Sequence, residues 1–230
     1  MKKPLIICDF VGTITKEDTV VAIMKKFAPP EWKRLKEKML SEKISVKEGL
    51  EQMFSLLFSY KVYDVIEYVL STAEIREGFQ ALVEYTKRNK LPLYVVSSGM
   101  DFFVKPLLKP LIPEDHIFCN NADFSGDFIN IEWLHECDEH CHQHCGLCKA
   151  AIIRKIASND HYVIVIGDSI TDLEAAKLAD IVIARDFLFE KCRQLGLNHR
   201  SFDTFYDVIH HLKQMEEVSV WGESAIARLK

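Results

Sequence analysis

The chain has 230 residues, 48% of them hydrophobic and 27% charged, which is ordinary for a globular protein with one domain and an insertion or with two small domains. Its net charge of −5, without a long basic stretch, argues against a nucleic-acid or anionic-membrane partner. No apolar run approaches the roughly 18 residues that span a bilayer and we expect no signal peptide, so the seven cysteines predict a protein of the reducing cytoplasm.

The first predicted element is a strand that ends in an acidic turn. Residues 4–9 form a short apolar run of the kind found in buried parallel sheets, and Asp9 stands at its end. Gly12 and Thr13 follow, so a tight turn and a hydroxyl group come directly after the carboxylate. A covalent phosphoryl-transfer nucleophile is presented in this way, although a single Asp here also fits an ordinary turn or helix cap.

The next region, residues 16–74, has a helical pattern. Apolar residues recur at helical spacing from Val20 to Phe27, and a Pro-Pro pair then opens a second helix. Ser45 and Glu48 form a predicted capping box before a third helix, and a fourth carries the apolar residues of 62–69. Because this block is inserted after the first strand, we predict that it forms a cap over the strand-end site.

Beyond residue 75 the predicted strands and helices alternate. We expect strands near 93–96, 117–120, 128–133, 162–167 and 181–184, and helices near 77–89, 101–109, 149–157, 171–178, 187–195 and 203–215. This order predicts an α/β fold, a three-layer Rossmann-like parallel sheet core with an inserted helical cap, and a site at the carboxyl ends of the strands. The predicted domains are residues 1–15 and 75–218 for the core, 16–74 for the cap and 219–230 for a peripheral tail.

A second acidic motif follows the strand near 162–167. It contains Asp168 and Asp172, one helical turn apart. Since the carboxyl ends of parallel strands meet at one edge of a sheet, we expect Asp168 to lie near Asp9. Hard oxygen ligands from two strand ends are suited to one Mg²⁺ ion.

The order of these motifs resembles the haloacid dehalogenase-like superfamily of aspartyl-phosphate hydrolases. The matching features are Asp9 at the first strand end, a serine turn at residues 97–99, Lys149 at a helix start, and Asp168 with Asp172 at a third strand end. The resemblance covers nearly the whole chain and includes a helical cap after the first motif. It implies a Mg²⁺-dependent phosphatase that hydrolyses a small phosphorylated metabolite through an aspartyl-phosphate, and it makes no prediction of the oligomeric state.

The resemblance also implies a role for each matching residue. Asp9 is then the nucleophile, Lys149 neutralises the nucleophile and the phosphate, and the turn Ser97-Ser98-Gly99 binds the phosphate through Ser97 and neighbouring backbone N–H groups. Asp168 is a direct Mg²⁺ ligand together with the main-chain carbonyl of residue 11. Asp172 is an accessory or outer-shell ligand that also orients Lys149.

Val11 departs from the family pattern. The family carries an aspartate two residues after the nucleophile, which protonates the leaving group and then activates water, and such help contributes roughly 10²–10⁴-fold. Valine does neither, so we expect a phosphatase with reduced activity. Two alternatives stay open: a protein that binds Mg²⁺ and a phosphorylated metabolite without turnover, and a C–P bond hydrolase that relies on a cap lysine. The lysines of the predicted cap that could form a Schiff base with such a substrate are Lys16, Lys25, Lys26 and Lys47.

A segment rich in cysteine and histidine precedes Lys149. Its cysteines, spaced C-x₃-C-x₃-C-x₂-C, are Cys137, Cys141, Cys145 and Cys148. Four thiols at this spacing fit a closed structural Zn²⁺ site, with free thiols or opportunistic disulfides as the alternative. Stoichiometric zinc would also favour a third class of function, a zinc-dependent interaction protein.

Three further residues are candidates for substrate contact. Glu17 and Asp18 follow the first motif at the predicted cap hinge, where capping of the next helix is the alternative. Arg76 lies where the chain leaves the predicted cap, and its guanidinium group is suited to phosphate or substrate.

Overall fold

The computed structural model describes residues 2–218 and contains a seven-stranded sheet. Its strands are β1 (Lys3–Cys8), β2 (Leu93–Met100), β3 (Ile117–Asp123), β4 (Asn130–Glu132), β5 (His161–Gly167), β6 (Ile181–Ala184) and β7 (His199–Ser201). Their order across the sheet is β4-β3-β2-β1-β5-β6-β7, and every neighbouring pair is parallel except β3 and β4. The predicted peripheral tail at 219–230 lies outside the described residues.

Ten α-helices accompany this sheet within residues 2–218. They are α1 (Thr19–Phe27), α2 (Trp32–Leu40), α3 (Val46–Phe54), α4 (Val62–Thr72), α5 (Phe79–Arg88), α6 (Asp101–Leu108), α7 (Lys149–Ile156), α8 (Leu173–Ala176), α9 (Asp186–Leu195) and α10 (Phe205–Glu217). None of the helices in this part of the chain is both long and apolar enough to cross a membrane.

The sheet is covered by helices on both faces, which confirms the predicted three-layer α/β architecture. Along β1, Ile6 points to the core shared with α5, α6 and α10, whereas Ile7 points to the core shared with α7, α8 and α9. Both residues are almost completely buried. A strand buried on both faces needs a continuous apolar run rather than an alternating one, as the sequence of β1 has.

Two edge strands differ from the prediction. The chain near 128–133 forms only the short β4, which runs antiparallel to β3, and β7 was not predicted. β7 is an edge strand and is only partly buried, so its residues His199–Ser201 do not form an apolar run. Without such a run the sequence gives no strand signal here. Its pairing is therefore set by tertiary contacts with β6 rather than by a sequence pattern.

The predicted helical block contains α1 to α4, whose apolar residues join the same continuous core as α5, α6 and α10. The predicted capping box at α3 is half formed. Ser45 accepts a hydrogen bond from the Glu48 N–H, but the Glu48 carboxylate accepts one from Gln52 instead of returning to residue 45. The division into a core and a cap at residues 16 and 74 stays a prediction.

Strand β2 continues further than its apolar run suggested. The serine turn predicted at 97–99 lies inside β2, which extends to Met100, and the pairing register with β3 shifts between Val96 and Met100. Serine and glycine are weak strand formers, so the pattern predicted an earlier end. Burial of this stretch in the sheet overrides that preference, because Ser97 is fully buried.

Candidate active site

Parallel pairing of β1 with β5 brings the two acidic motifs together at the carboxyl edge of the sheet. Cys8 pairs with Ile166, and the Asp9 N–H donates to the Ile166 carbonyl at 2.8 Å. One carboxylate oxygen each of Asp9, Asp168 and Asp172 lies within 4.8 Å of the others. The structure thus places these three carboxylates in one cluster, which the sequence predicted from strand order alone.

Lys149 lies inside this acidic cluster. Its Nζ is 2.5 Å from Asp9 Oδ1, it also pairs with Asp172 Oδ1, and all three side chains are at least 97% buried. Burial alone would lower the pKa of Lys149, but the charges of Asp172 and Asp9 outweigh it and raise that pKa, so the amine is held as an ammonium ion. One cation therefore faces three carboxylates.

The excess negative charge acts on Asp9 and on Asp168, and burial is the main cause that raises the pKa of both. Burial first, and then the charge of Asp172, raise the pKa of Asp168 to about 6, although the Thr13 hydroxyl donates to its Oδ1 at 2.6 Å. Asp172 already uses both carboxylate oxygens, Oδ1 for Lys149 and Oδ2 for the backbone N–H groups of residues 168 and 169. Among the described residues, Asp9 and Asp168 thus have the carboxylate oxygens best placed for a cation.

The turn after β1 is held tightly against Asp168. Gly12 has a φ of +83°, and a Cβ at this position would stand 2.6 Å from Asp168 Oδ2. Only glycine combines this left-handed conformation with such a close approach. The tight turn predicted at Gly12 therefore packs directly against Asp168, and this contact joins the two acidic motifs.

Arg76, a candidate for substrate contact, uses its donors on backbone carbonyls and does not line the cavity that opens beside the acidic cluster. Its Nε donates to the Thr13 carbonyl at 2.8 Å and its Nη2 to the Gly12 carbonyl at 2.8 Å, with longer bonds to residues 15 and 16. The side chain is 8% exposed. Burial is the main cause that lowers the pKa of Arg76. Arg76 therefore fixes the turn that carries Asp9.

Arg76→Ala should lower the free energy of unfolding by roughly 3 kcal/mol, because it removes charged hydrogen bonds and leaves several buried carbonyls without a donor. Urea unfolding followed by circular dichroism measures this change. Arg88→Ala is the matched control, since Arg88 makes a surface ion pair with Glu84, and it should change stability by less than about 0.5 kcal/mol. Equal, small effects of both substitutions would contradict this role of Arg76.

A cavity of about 270 Å³ opens between the acidic cluster and helices α1, α2 and α3. Its floor includes Asp9, Val11, Ser98 and Asp168. Its apolar wall is formed by Val20, Val21, Met39, Leu40, Val46, Leu50 and Met53. Val11 is half-buried in this floor and packs against apolar residues. The residue that breaks the family pattern thus faces the space where a ligand would bind.

Two charged side chains, Asp18 and Lys36, also line the wall of this cavity. Asp18 caps α1 by accepting a hydrogen bond from the Val21 N–H at 2.9 Å, and it also lines the cavity, so its contact with substrate stays a prediction. Lys36 of α2 lines the cavity with its Nζ 3.8 Å from Asp18 Oδ2. The sequence offered no signal for Lys36, which lies among other lysines on an amphipathic helix. Glu17 is absent from this wall.

The two serines of the predicted phosphate-binding turn have different surroundings. The Ser97 hydroxyl is fully buried, accepts a hydrogen bond from the Gly99 N–H at 3.0 Å and does not line the cavity. The Ser98 hydroxyl does line it, and it is buried with no hydrogen-bond partner in the described part of the chain. Asn120 holds this turn by donating to the Ser98 carbonyl at 3.1 Å. An unpaired hydroxyl beside Asp9 points to Ser98 as the ligand-facing serine.

The four cysteines of the 137–148 segment also converge. Their Sγ atoms lie within 4.8 Å of one another, and the segment ends at Cys148, the residue before Lys149. All seven cysteines of the chain are free thiols in this structure.

Comparison with known proteins gives consistent matches. The family model of the haloacid dehalogenase-like hydrolases matches residues 6–177. A protein of Geobacillus thermodenitrificans (strain NG80-2), named 2-hydroxy-3-keto-5-methylthiopentenyl-1-phosphate phosphatase, is 53% identical over 95% of this chain and 100% of its own length. A protein of the same name from Bacillus cereus (strain B4264) is 50% identical over 93% of this chain and 97% of its own.

Solved structures agree on the fold. A substrate-bound phosphoserine phosphatase superposes with a TM-score of 0.69 at 20% identity, covering 92% of this chain and 99% of that one. Phosphoserine phosphatase from T. onnurineus superposes with a TM-score of 0.70 at 16% identity, covering 93% and 95%. At such low identity the superpositions establish the α/β fold and nothing further.

Proposed function

Because the chain belongs to the haloacid dehalogenase-like hydrolase family, we propose that it is a phosphatase for 2-hydroxy-3-keto-5-methylthiopentenyl-1-phosphate, in methionine salvage. The observation that carries the proposal is Lys149, which is buried between Asp172 and Asp9, and Asp9 in turn lines a largely apolar cavity. Relatives with this activity in their name are 47% to 53% identical over most of the chain. The family membership and these relatives support phosphoric monoester hydrolysis.

In the proposed reaction, Asp9 attacks phosphorus and forms an aspartyl-phosphate. The P–O bond to the metabolite breaks as the Asp9–phosphorus bond forms, and water later displaces phosphate from Asp9. The Lys149 ammonium ion stays close to the attacking carboxylate and offsets its repulsion with the incoming phosphate. The unpaired Ser98 hydroxyl and nearby backbone N–H groups hold the phosphate oxygens.

A magnesium ion fits the acidic cluster. Three buried carboxylates share one lysine, and the raised pKa of Asp168 marks negative charge that this lysine does not offset. We propose Asp9, the Val11 carbonyl and Asp168 as direct ligands, and Asp172 as the accessory residue that orients Lys149. Bound Mg²⁺ supplies positive charge next to the phosphate oxygens.

Asp168→Ala should weaken Mg²⁺ binding at least roughly 10-fold, because it removes a carboxylate ligand from the cluster. Isothermal titration calorimetry with MgCl₂ measures the affinity. The control is Asp64→Ala, which removes an exposed carboxylate on α4 and should leave the affinity unchanged. An affinity that is the same in all three proteins would place the metal elsewhere.

The apolar wall of the cavity supports the proposed substrate. The substrate's name describes a phosphate at one end of a five-carbon chain and a methylthio group at the other. With the phosphate at Asp9, a chain of this kind would extend along Leu50 and Met53, which line the cavity on α3. Apolar walls with a few polar groups at one end are typical of sites for such ligands.

Val11 lowers the expected turnover of the chain as it stands. Its side chain neither donates nor accepts a proton, so leaving-group protonation and activation of water lose their usual group. The same geometry supports the alternative of a protein that binds the phosphorylated metabolite without turning it over. Assay of this chain beside its Val11→Asp variant distinguishes a slow phosphatase from a protein that only binds the metabolite.

Lys36 is the one observation that favours C–P bond hydrolysis as a second candidate. It lines the cavity, whereas Lys16, Lys25, Lys26 and Lys47 do not. A Schiff base between Lys36 and phosphonoacetaldehyde would be trapped by borohydride as a stable adduct. No adduct, together with turnover of phosphate esters, would eliminate this candidate.

The proposal places the enzyme in the cytoplasm with a small phosphorylated metabolite as its ligand. Free thiols throughout the chain agree with a reducing compartment. The predicted zinc site takes no part in the proposed phosphoryl chemistry.

A further inference from the structure

The cysteine cluster, defined as Cys137, Cys141, Cys145 and Cys148, has the geometry of a site for one ion. All four Sγ atoms lie within 4.8 Å of one another, and the Sγ atoms of Cys141 and Cys145 are 3.8 Å apart. A tetrahedral Zn²⁺ ion with Zn–S distances of about 2.3 Å would place its sulfur ligands roughly 3.8 Å apart. The sequence spacing alone left free thiols and disulfides open, and the convergence of all four thiols favours a metal.

Two groups beside the cluster would stabilise negative charge on its sulfur atoms. Cys148 stands at the N-cap of α7, where the Ala151 N–H donates to its Sγ at 3.4 Å. The hydrogen bond to Asp138 is the main cause that raises the pKa of Arg154, and the nearby Cys148 and Cys141 add to it. This cation would offset part of the charge of thiolates in the cluster.

The cluster lies between two parts of the proposed active site. On one side, Cys148 directly precedes Lys149 at the start of α7. On the other side, the same segment contacts α3: the Lys47 N–H donates to the His144 carbonyl at 3.1 Å, and the Trp133 indole donates to Glu51 at 2.6 Å. Helix α3 carries part of the apolar wall of the cavity.

The chain in this segment is close-packed as well. Gly146 has a φ of +75°, and a Cβ here would stand 2.4 Å from the Trp133 ring. With few regular backbone hydrogen bonds between 133 and 148, the segment has no strand or helix of its own to hold this packing. A central ion bound by all four cysteines would hold such a segment in place.

We propose that the cysteine cluster binds one Zn²⁺ ion, which holds residues 133–148 against α3 and fixes the start of α7. Binding replaces the remaining thiol protons, which pass to solvent, and no electron transfer is involved. The site is structural, since four sulfur ligands leave no open position for water or substrate. Its effect on Lys149 as a catalytic group rests on the proposed function, whereas the zinc site itself does not.

Metal analysis of the purified full chain tests the site. The protein is produced in medium with both zinc and iron, without a metal-binding tag, and analysed by inductively coupled plasma mass spectrometry. We expect about one zinc per chain in the unsubstituted protein and in the control Cys192→Ser, whose cysteine is buried outside the cluster. The double variant C141S/C145S should lose nearly all of it.

Two measurements keep the proposal testable if that variant does not fold. A mercurial reagent should release one zinc per unsubstituted chain, detected with a zinc-binding dye. Cobalt-substituted protein should show a thiolate-to-metal charge-transfer band. Substoichiometric zinc, iron in its place, a disulfide in the cluster, or zinc retained by C141S/C145S would each overturn the proposal.

Hydrogen exchange measures the structural consequence independently of turnover. Removal of zinc should speed exchange by roughly 10-fold or more at the start of α7 and in α3, and leave α9 unchanged. Exchange that is unchanged in α3 and α7 after zinc removal would overturn the role in holding these elements. None of these measurements uses phosphatase activity. Failure of the zinc site can therefore be distinguished from failure of the proposed function.

Discussion

Asp9→Asn should abolish phosphatase turnover, with kcat below the detection limit on every phosphate monoester. The amide is nearly the same size as the carboxylate but is a far weaker nucleophile, so the aspartyl-phosphate no longer forms. Asp9 is 4% exposed, and Lys149 keeps Asp172 as its partner in the variant. The fold should therefore persist. Steady-state assays with p-nitrophenyl phosphate and with the proposed substrate measure the loss.

The matched control for this substitution is Asp64→Asn, which makes the same chemical change on the exposed side of α4. It should retain the activity of the unsubstituted chain. Circular dichroism and thermal unfolding of both variants confirm that each is folded. Turnover by Asp9→Asn equal to that of Asp64→Asn would remove the covalent mechanism.

Val11→Asp should raise kcat on alkyl phosphates by roughly 10²-fold or more. It restores a group that can protonate the leaving oxygen and then activate water, while Asp9, Lys149 and Asp168 keep their positions. Position 11 lies in a turn and is half-buried at the cavity floor, so a carboxylate there has access to the ligand. Assays of both proteins on a simple alkyl phosphate measure the gain.

The gain should depend on the leaving group. p-Nitrophenolate leaves without being protonated. The gain in kcat from Val11→Asp should therefore be smaller on p-nitrophenyl phosphate than on an alkyl phosphate, if attack by Asp9 limits the rate. The name of the proposed substrate places its phosphate on an enol oxygen, a better leaving group than an alkoxide, and an intermediate gain is expected. Val11→Asn has nearly the same shape as Val11→Asp but no acid, and it should stay as slow as the unsubstituted chain.

If Val11→Asp is no faster than Val11→Asn on any phosphate monoester, the hydrolase interpretation is wrong. Binding without turnover, or C–P bond hydrolysis with Lys36, would then be the better account. Binding of the phosphorylated metabolite by both variants, measured by calorimetry, separates those two outcomes from a failure to fold.

The sequence predicted the acidic cluster because its members lie at strand ends. A buried parallel strand has a continuous apolar run, which is visible at β1 and β5, and the carboxyl ends of such strands meet at one edge. That rule brings Asp9 and Asp168 together without knowledge of side-chain positions. The placement of Lys149 came instead from the resemblance, since a lysine at a helix start has many other uses.

The parts that were not predicted depend on tertiary contacts. Ser97 and Ser98 are adjacent hydroxyls, and only the direction of β2 decides that Ser98 lines the cavity. Arg76 was one candidate for substrate contact because guanidinium groups suit phosphate, but its donors bind backbone carbonyls of the turn after β1. Lys36 and the convergence of the four thiols depend on how separate segments pack. No local sequence pattern predicts contacts between segments that are distant in the chain.

The central claim is that Asp9 becomes phosphorylated, and acid quench of this chain with labelled substrate tests it most directly. The account predicts an acid-stable, hydroxylamine-sensitive phosphoryl group on Asp9 by peptide mass spectrometry. It should accumulate in the unsubstituted chain, where Val11 leaves water without a base, and fall in Val11→Asp, where hydrolysis is restored. A labelled protein in the Asp9→Asn variant, or release of phosphate without any labelled Asp9 in either of the other two proteins, would contradict it.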